Sequence, residues 1–179
     1  MSGRTYPAVG GIKSHNSLLY YGAHKLYANK MIKKAKIEDI KAIQKLINSF
    51  ASKDLMLSRS LNELYENLRD YWIAKERGRV IGCAALHISW DDLAEIKSVA
   101  VAKNKQGKGI GGKLISVCLT EAKELGAKRI FVLTYKPEYF KKFGFKRVKN
   151  SQLPHKIWAE CINCCKFPNC KEIALLKTL

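Results

Sequence analysis

The segment from Ala94 to Ile115, "AEIKSVAVAKNKQGKGIGGKLI", restricts the fold more than any other. It begins as an alternating, β-branched run with strand character. A basic loop follows, with glycine at 107, 109, 111 and 112. Ile110, Leu114, Val117, Cys118 and Leu125 then recur at helical spacing up to Gly126, a helix-ending residue. A strand that feeds a glycine turn and then a helix gathers backbone N–H groups and the positive end of a helix dipole at one place. That is the chemistry of an anion site.

Three phosphate-binding frames overlay the loop. Gly107, Gly112 and Lys113 fit GxxxxGK, but Leu114 stands where a P-loop needs a hydroxyl for Mg²⁺. Gly107, Gly109 and Gly112 fit the dinucleotide fingerprint GxGxxG. That frame needs a glycine at the strand tip and an acid at the end of the next strand. Five residues, "AKNKQ", separate the strand from Gly107, and the next strand ends "VLTY" without an acid. Gln106, Gly109 and Gly111 fit Q/RxxGxG, the frame whose strand–loop–helix context is intact. Its small residues let the backbone wrap a pyrophosphate.

The remaining pattern predicts one α/β domain over 31–179, and 179 residues are too few for two well-filled cores. "MIKKAK" reads as a short strand, "IEDIKAIQKLINSFA" as a helix striped by Ile40, Ile43, Ile47 and Phe50, and "SRSLNELYENLRD" as a helix capped by Ser60 and Glu63. "YWIAKE" and "RVIGCAALHIS" flank the tight turn "RG". "KRIFVLTY" has the continuous apolar character of a central strand. "PEYFKKFG" is a short helix with Pro137 in its first turn, and "FKRV" and "EIALLKTL" close the sheet. Residues 1–30 contain no Asp or Glu and show neither period, so they read as a poorly ordered extension, a start-site artefact or a targeting segment.

With these elements in place, the chain resembles the GCN5-related N-acetyltransferase (GNAT) superfamily from about Met31 to Leu179. "AEIKSVAVAKNKQGKGIGGKLI" is similar to its acetyl-CoA motif and "YFKKFGF" to its short-helix motif. The resemblance implies a mixed, mostly antiparallel sheet flanked by helices and splayed between the "AEIKSVAV" and "KRIFVLTY" strands. It implies that pantetheine contacts the main chain across Val99, Ala100 and Val101, and that pyrophosphate lies on Gln106, Gly107, Lys108, Gly109, Ile110, Gly111 and Gly112. The oxyanion donor, again by resemblance, is the Val99 N–H. Many members carry a tyrosine as the acid for the departing thiolate. The matching position here is Phe140, and the adjacent Tyr139 is about 100° around a helix.

Acetyl transfer to an amine needs a base for the ammonium proton. Glu95 is the candidate. In an uninterrupted strand Glu95, Lys97, Val99 and Val101 share a face, which sets a carboxylate two pleats before the pantetheine contact. The alternative for Glu95 is a surface residue paired with Lys97. Within the superfamily the chain is most similar to the short, single-domain N-acetylglutamate synthase group, which implies glutamate as acceptor and arginine biosynthesis as setting. Lys33 and Lys97 are candidate partners for the substrate carboxylates. A protein or peptide amine as acceptor, and a non-catalytic acyl-CoA or nucleic-acid-binding module, are the alternatives.

A formal charge of +18 suits a polyanionic partner. The cations are scattered and no nucleic-acid signature is present, so a small anion is favoured over nucleic acid. No apolar run approaches the length of a membrane span. Cys83 and Cys118 sit among apolar neighbours as core thiols. His155, Cys161, Cys164, Cys165 and Cys170 crowd into "HKIWAECINCCKFPNC", where a structural zinc, a disulfide clasp and reduced thiols are all open. No secretory signal precedes them, so a reducing cytoplasm is expected. A homodimer is left open.

Overall fold

The computed structural model describes residues 31–154, 162, 166 and 169–179. Residues 1–30, and His155, Cys161, Cys164 and Cys165 of the cysteine cluster, lie outside the described residues. The described elements are β1 (Ile32–Lys34), α1 (Ile40–Ala51), α2 (Leu61–Glu66), β2 (Tyr71–Glu76), β3 (Arg79–Ile88), β4 (Leu93–Val101), α3 (Ile110–Glu124), β5 (Arg129–Thr134), α4 (Pro137–Lys141), β6 (Lys146–Arg147) and β7 (Ile173–Thr178). Among the described residues seven strands form one sheet in the order β1-β2-β3-β4-β5-β7-β6. Neighbours are antiparallel except β4 and β5, which run parallel. This is the mixed α/β architecture expected.

Local chemistry sets most of these elements. Arg77 and Gly78 both have positive φ, 48° and 76°, the conformation of the two-residue turn that joins β2 to β3. The Ser60 hydroxyl accepts from the Glu63 N–H at 3.1 Å and starts α2. That helix ends at Glu66, shorter than expected, because Asn67 leaves helical geometry (φ −103°, ψ 23°) before a 3₁₀ turn over Leu68–Asp70. On α3 the buried stripe is Ile110, Leu114, Ile115, Cys118 and Ala122. Leu125, expected in that stripe, lies at the helix end and is 61% exposed.

The sheet buries both faces. Ala84, Leu86, Ala94 and Ile96 pack with Ile110, Leu114 and Cys118 of α3. On the other face Tyr71, Ile73, Cys83 and Ala85 pack with Ile40, Ile43, Ile47 and Leu64 of α1 and α2. A separate cluster of Leu93, Phe131, Leu153 and Ala174 covers that second face farther along the sheet. Each fully buried Ile or Leu contributes on the order of 1.5–3 kcal/mol relative to exposure.

Two irregularities in β4 create the site. First, β4 pairs with β5 only over Leu93–Glu95 against Arg129–Phe131, although β4 continues to Val101 and β5 to Thr134. The strands diverge beyond that point, as the splayed sheet requires. Second, β4 carries a bulge. Cys83 is opposite Ala100 but Ala85 is opposite Lys97, so Ser98 and Val99 together face Ala84. Ser98 takes up the extra residue with φ 56°. The bulge corrects the expectation of a single shared face. Glu95 and Lys97 point away from α3, whereas Val99 and Val101 pack against the α3 cluster. An added residue exchanges the faces of everything beyond it.

Candidate active site

A cleft of about 980 Å³ opens along the divergent part of β4. Its floor is Glu95–Val101, so Glu95, Lys97, Val99, Ala100 and Val101 all line it. Gln106, Gly107, Gly109, Ile110 and Gly111 form one wall. The Gln106 side-chain amide donates to the Val101 carbonyl at 3.0 Å and ties this loop to the strand. Gly107 and Gly109 adopt φ of 76° and 74°, where a side chain would be strained. The first N–H groups of α3 have no acceptor within the helix, and α3 begins at this wall.

Lys108 and Gly112, expected in the same loop, do not belong to the lining. Lys108 is exposed. Gly112 faces Phe143, whose ring would stand 3.3 Å from an added Cβ, so this glycine serves the approach of α3 to the segment after α4. Lys33 is also corrected. It is exposed on β1, three strands from β4 in the sheet order, and does not line the cleft.

The other end of the cleft is polar. It occupies the gap between the two apolar clusters on the sheet face away from α3. The Lys97 ammonium lies 3.3 Å from a Glu95 carboxylate oxygen. His87 of β3 is directly opposite Glu95 of β4, and its Nδ1 is 2.7 Å from Asp70 Oδ2. Arg59 Nε donates to the Ser98 hydroxyl at 3.3 Å, and the Tyr71 hydroxyl donates to the same oxygen at 3.4 Å. Arg59 is also ion-paired with Glu63. Burial, and secondarily the nearby Glu95 charge, push the Glu172 carboxyl above its ordinary range.

His87, Arg59 and Glu172 line this end and were not identified from sequence. The register of β3 against β4 is what brings His87 to Glu95. Arg59 just precedes the Ser60 cap and Glu172 just precedes β7, so each was adjacent to a recognised element.

Tyr139 and Phe140 divide as the helical rotation demands. Phe140 is nearly buried and makes an edge contact with Phe145. The Tyr139 hydroxyl stands against Gly111 in the first turn of α3, and burial raises its phenol pKa, so the hydroxyl stays protonated. Both residues border the cleft, but only Tyr139 offers a hydroxyl.

Cys83 and Cys118 are free and buried, and burial pushes the Cys83 thiol up to about 12 and the Cys118 thiol higher still. They are inert core thiols, as expected. Cys170 is free and exposed at the cleft. Among the described residues no group of three or more His, Cys, Asp or Glu side chains is placed to hold a metal ion. No helix among them is long and apolar enough to cross a membrane.

Known proteins match this arrangement. The family model described as "Acetyltransferase (GNAT) family" matches residues 37–145, from the turn before α1 to the segment after α4. An uncharacterized N-acetyltransferase of Chlorobaculum tepidum is 38% identical over 85% of this chain and 98% of its own length. An amino-acid acetyltransferase of Mycobacterium tuberculosis is 35% identical over 73% of this chain and 76% of its own. The crystal structure of an N-acetylglutamate synthase from Neisseria gonorrhoeae, complexed with coenzyme A and N-acetyl-glutamate, superimposes with a TM-score of 0.76 at 27% identity. The match covers 83% of this chain but only 34% of the synthase. A splayed sheet, a glycine wall at a helix start and a family match that takes in both lead to one conclusion: the chain belongs to the acetyltransferase (GNAT) family and is an acetyl-CoA-dependent N-acetyltransferase.

Proposed function

We propose that this enzyme acetylates the α-amino group of a small acidic amino acid, with L-glutamate as the acceptor and arginine biosynthesis in the cytoplasm as the setting. The observation that carries the reading is the polar end of the cleft. There a carboxylate, Glu95, adjoins the divergence of β4 from β5, with two cations, Lys97 and Arg59, on the same lining. A dicarboxylate acceptor needs cations beside its amine, and a transferase needs a base at that amine. The names of the M. tuberculosis and N. gonorrhoeae proteins support the same acceptor class.

In this reading pantetheine enters between β4 and β5 and pairs with main-chain groups of Val99 and Val101. The pyrophosphate lies on Gln106–Gly111, neutralised by N–H groups and the α3 dipole. Lys97 and Arg59 hold the acceptor carboxylates. Glu95 takes the ammonium proton through a water molecule, and the amine attacks the thioester carbonyl. The Val99 N–H donates to the oxygen as it gains charge. The C–S bond then breaks, and solvent protonates the CoA thiolate, since Phe140 carries no hydroxyl and the Tyr139 hydroxyl is held against Gly111.

The test is CoA release with free amino acids supplied one at a time. Turnover with glutamate and not with neutral or basic amino acids is the expected result. Turnover confined to peptide amines would transfer the reading to protein N-acetylation.

A further inference from the structure

We propose that His87, held by Asp70, carries the acceptor's proton from Glu95 to solvent. The inference rests on Glu95 being the base. Opposed residues of an antiparallel pair stand on one face with Cβ atoms about 5 Å apart, and His87 and Glu95 are such a pair. Both line the cleft. The Glu95 side chain is 13% exposed and the His87 side chain 33% exposed, so the imidazole is the more open of the two. The Asp70 carboxylate at 2.7 Å fixes the other side of the ring. With the Nδ1 hydrogen given to Asp70, Nε2 is the nitrogen left with a lone pair.

The reaction needs such an exit. Conversion of an ammonium to an amide releases two protons, and the CoA thiolate takes one. The other has to leave Glu95 before the next turnover. It passes from the Glu95 carboxyl through water to His87 Nε2 and from there to bulk solvent. The enzyme ends as it began. Lys97, Arg59, Glu63 and Glu172 complete the charged groups at this end of the cleft. Lys97 and Arg59 are cations without a lone pair to offer, and Glu63 is ion-paired with Arg59.

A purely structural role would have the His87–Asp70 contact tie the turn before β2 to β3. Two variants separate the roles. His87→Gln keeps an amide hydrogen for Asp70 but takes no proton. His87→Ala opens a space that imidazole can enter. In weakly buffered solution both should lose at least tenfold in kcat with the acetyl-CoA KM unchanged, and added imidazole should restore His87→Ala in proportion to its concentration. Asp70→Asn, which acts through the ring, should lower kcat less and respond weakly to imidazole.

Wild-type kcat in His87→Gln, or a loss in His87→Ala that imidazole leaves untouched, overturns the relay. Glu95→Gln is measured in parallel. If it is slow while His87→Gln is normal, only the relay fails. If Glu95→Gln turns over normally, the base assignment fails and the relay with it.

Discussion

The hydroxyl of Tyr139 occupies the space that a methyl group on Gly111 would need. The first turn of α3 and the face of α4 are therefore fitted to each other at the wall of the cleft. In Gly111→Ala the ring must move. Overpacking of this kind costs about 1–3 kcal/mol of folding stability, so Tm should fall by several degrees. Adding Tyr139→Phe removes the clashing oxygen and leaves the ring carbon at 3.5 Å, an ordinary contact. The double variant should recover most of the lost Tm in scanning calorimetry. Tyr139→Phe alone should turn over like the wild type.

Glu95→Gln keeps the shape of the cleft and removes its base. Turnover at neutral pH should fall by roughly 10²–10⁴-fold, the usual worth of a general base. Acetyl-CoA binding should be unchanged, because Val99, in the bulge, and Val101 and the glycine wall, beyond it, are separate from Glu95. Steady-state kinetics and equilibrium binding measured on one preparation check both halves.

Glu172 should destabilise the free protein in a pH-dependent way. Burial and then Glu95 raise its carboxyl above the unfolded value. A carboxyl raised on folding costs nothing when both states are protonated. The cost develops as pH rises through the unfolded value toward the folded one, and is complete above it. Glu172→Gln should accordingly raise Tm at neutral pH, and the gain should disappear near pH 4, below the unfolded value. An equal gain at both pH values would contradict this account.

Every described element lies at or beyond Met31, whose carbonyl accepts from the Lys75 N–H at 2.7 Å. A chain beginning at Met31 should melt at the temperature of the full chain and bind acetyl-CoA with the same affinity. Calorimetry of the two chains makes the comparison.

The architecture was legible where local chemistry decides it. The Ile40, Ile43 and Ile47 stripe, the Arg77–Gly78 turn and the loop from Gln106 to Gly111 all declared themselves through spacing and residue type. The bulge did not. Serine at φ 56° is uncommon, and "IKSVAV" reads as a plain strand until Ala84 is seen facing both Ser98 and Val99. The directions assigned to Val99 and Val101 failed for that one reason. Lys33 looked suitable because a lysine on a strand carries charge wherever the strand lies in the sheet. Only the strand order shows β1 at the edge, away from the cleft. His87 was passed over because its importance depends on two partners, Asp70 and Glu95, that are 17 and 8 positions away in sequence.

The divergence of β4 from β5 has a consequence for how long the protein survives when it is idle. In the proposed function the pantetheine arm serves as a borrowed strand, supplying the hydrogen bonds that β5 does not give to β4 beyond Glu95. Without it, two stretches of strand edge stand open to water and to other chains, the usual starting point for edge-to-edge aggregation. Binding of the cofactor to the folded state alone raises stability with its concentration. A well-fed cell would thus keep this enzyme soluble with the same molecule that it consumes, and a fall in the acetyl-CoA supply would shorten the enzyme's lifetime as well as its work.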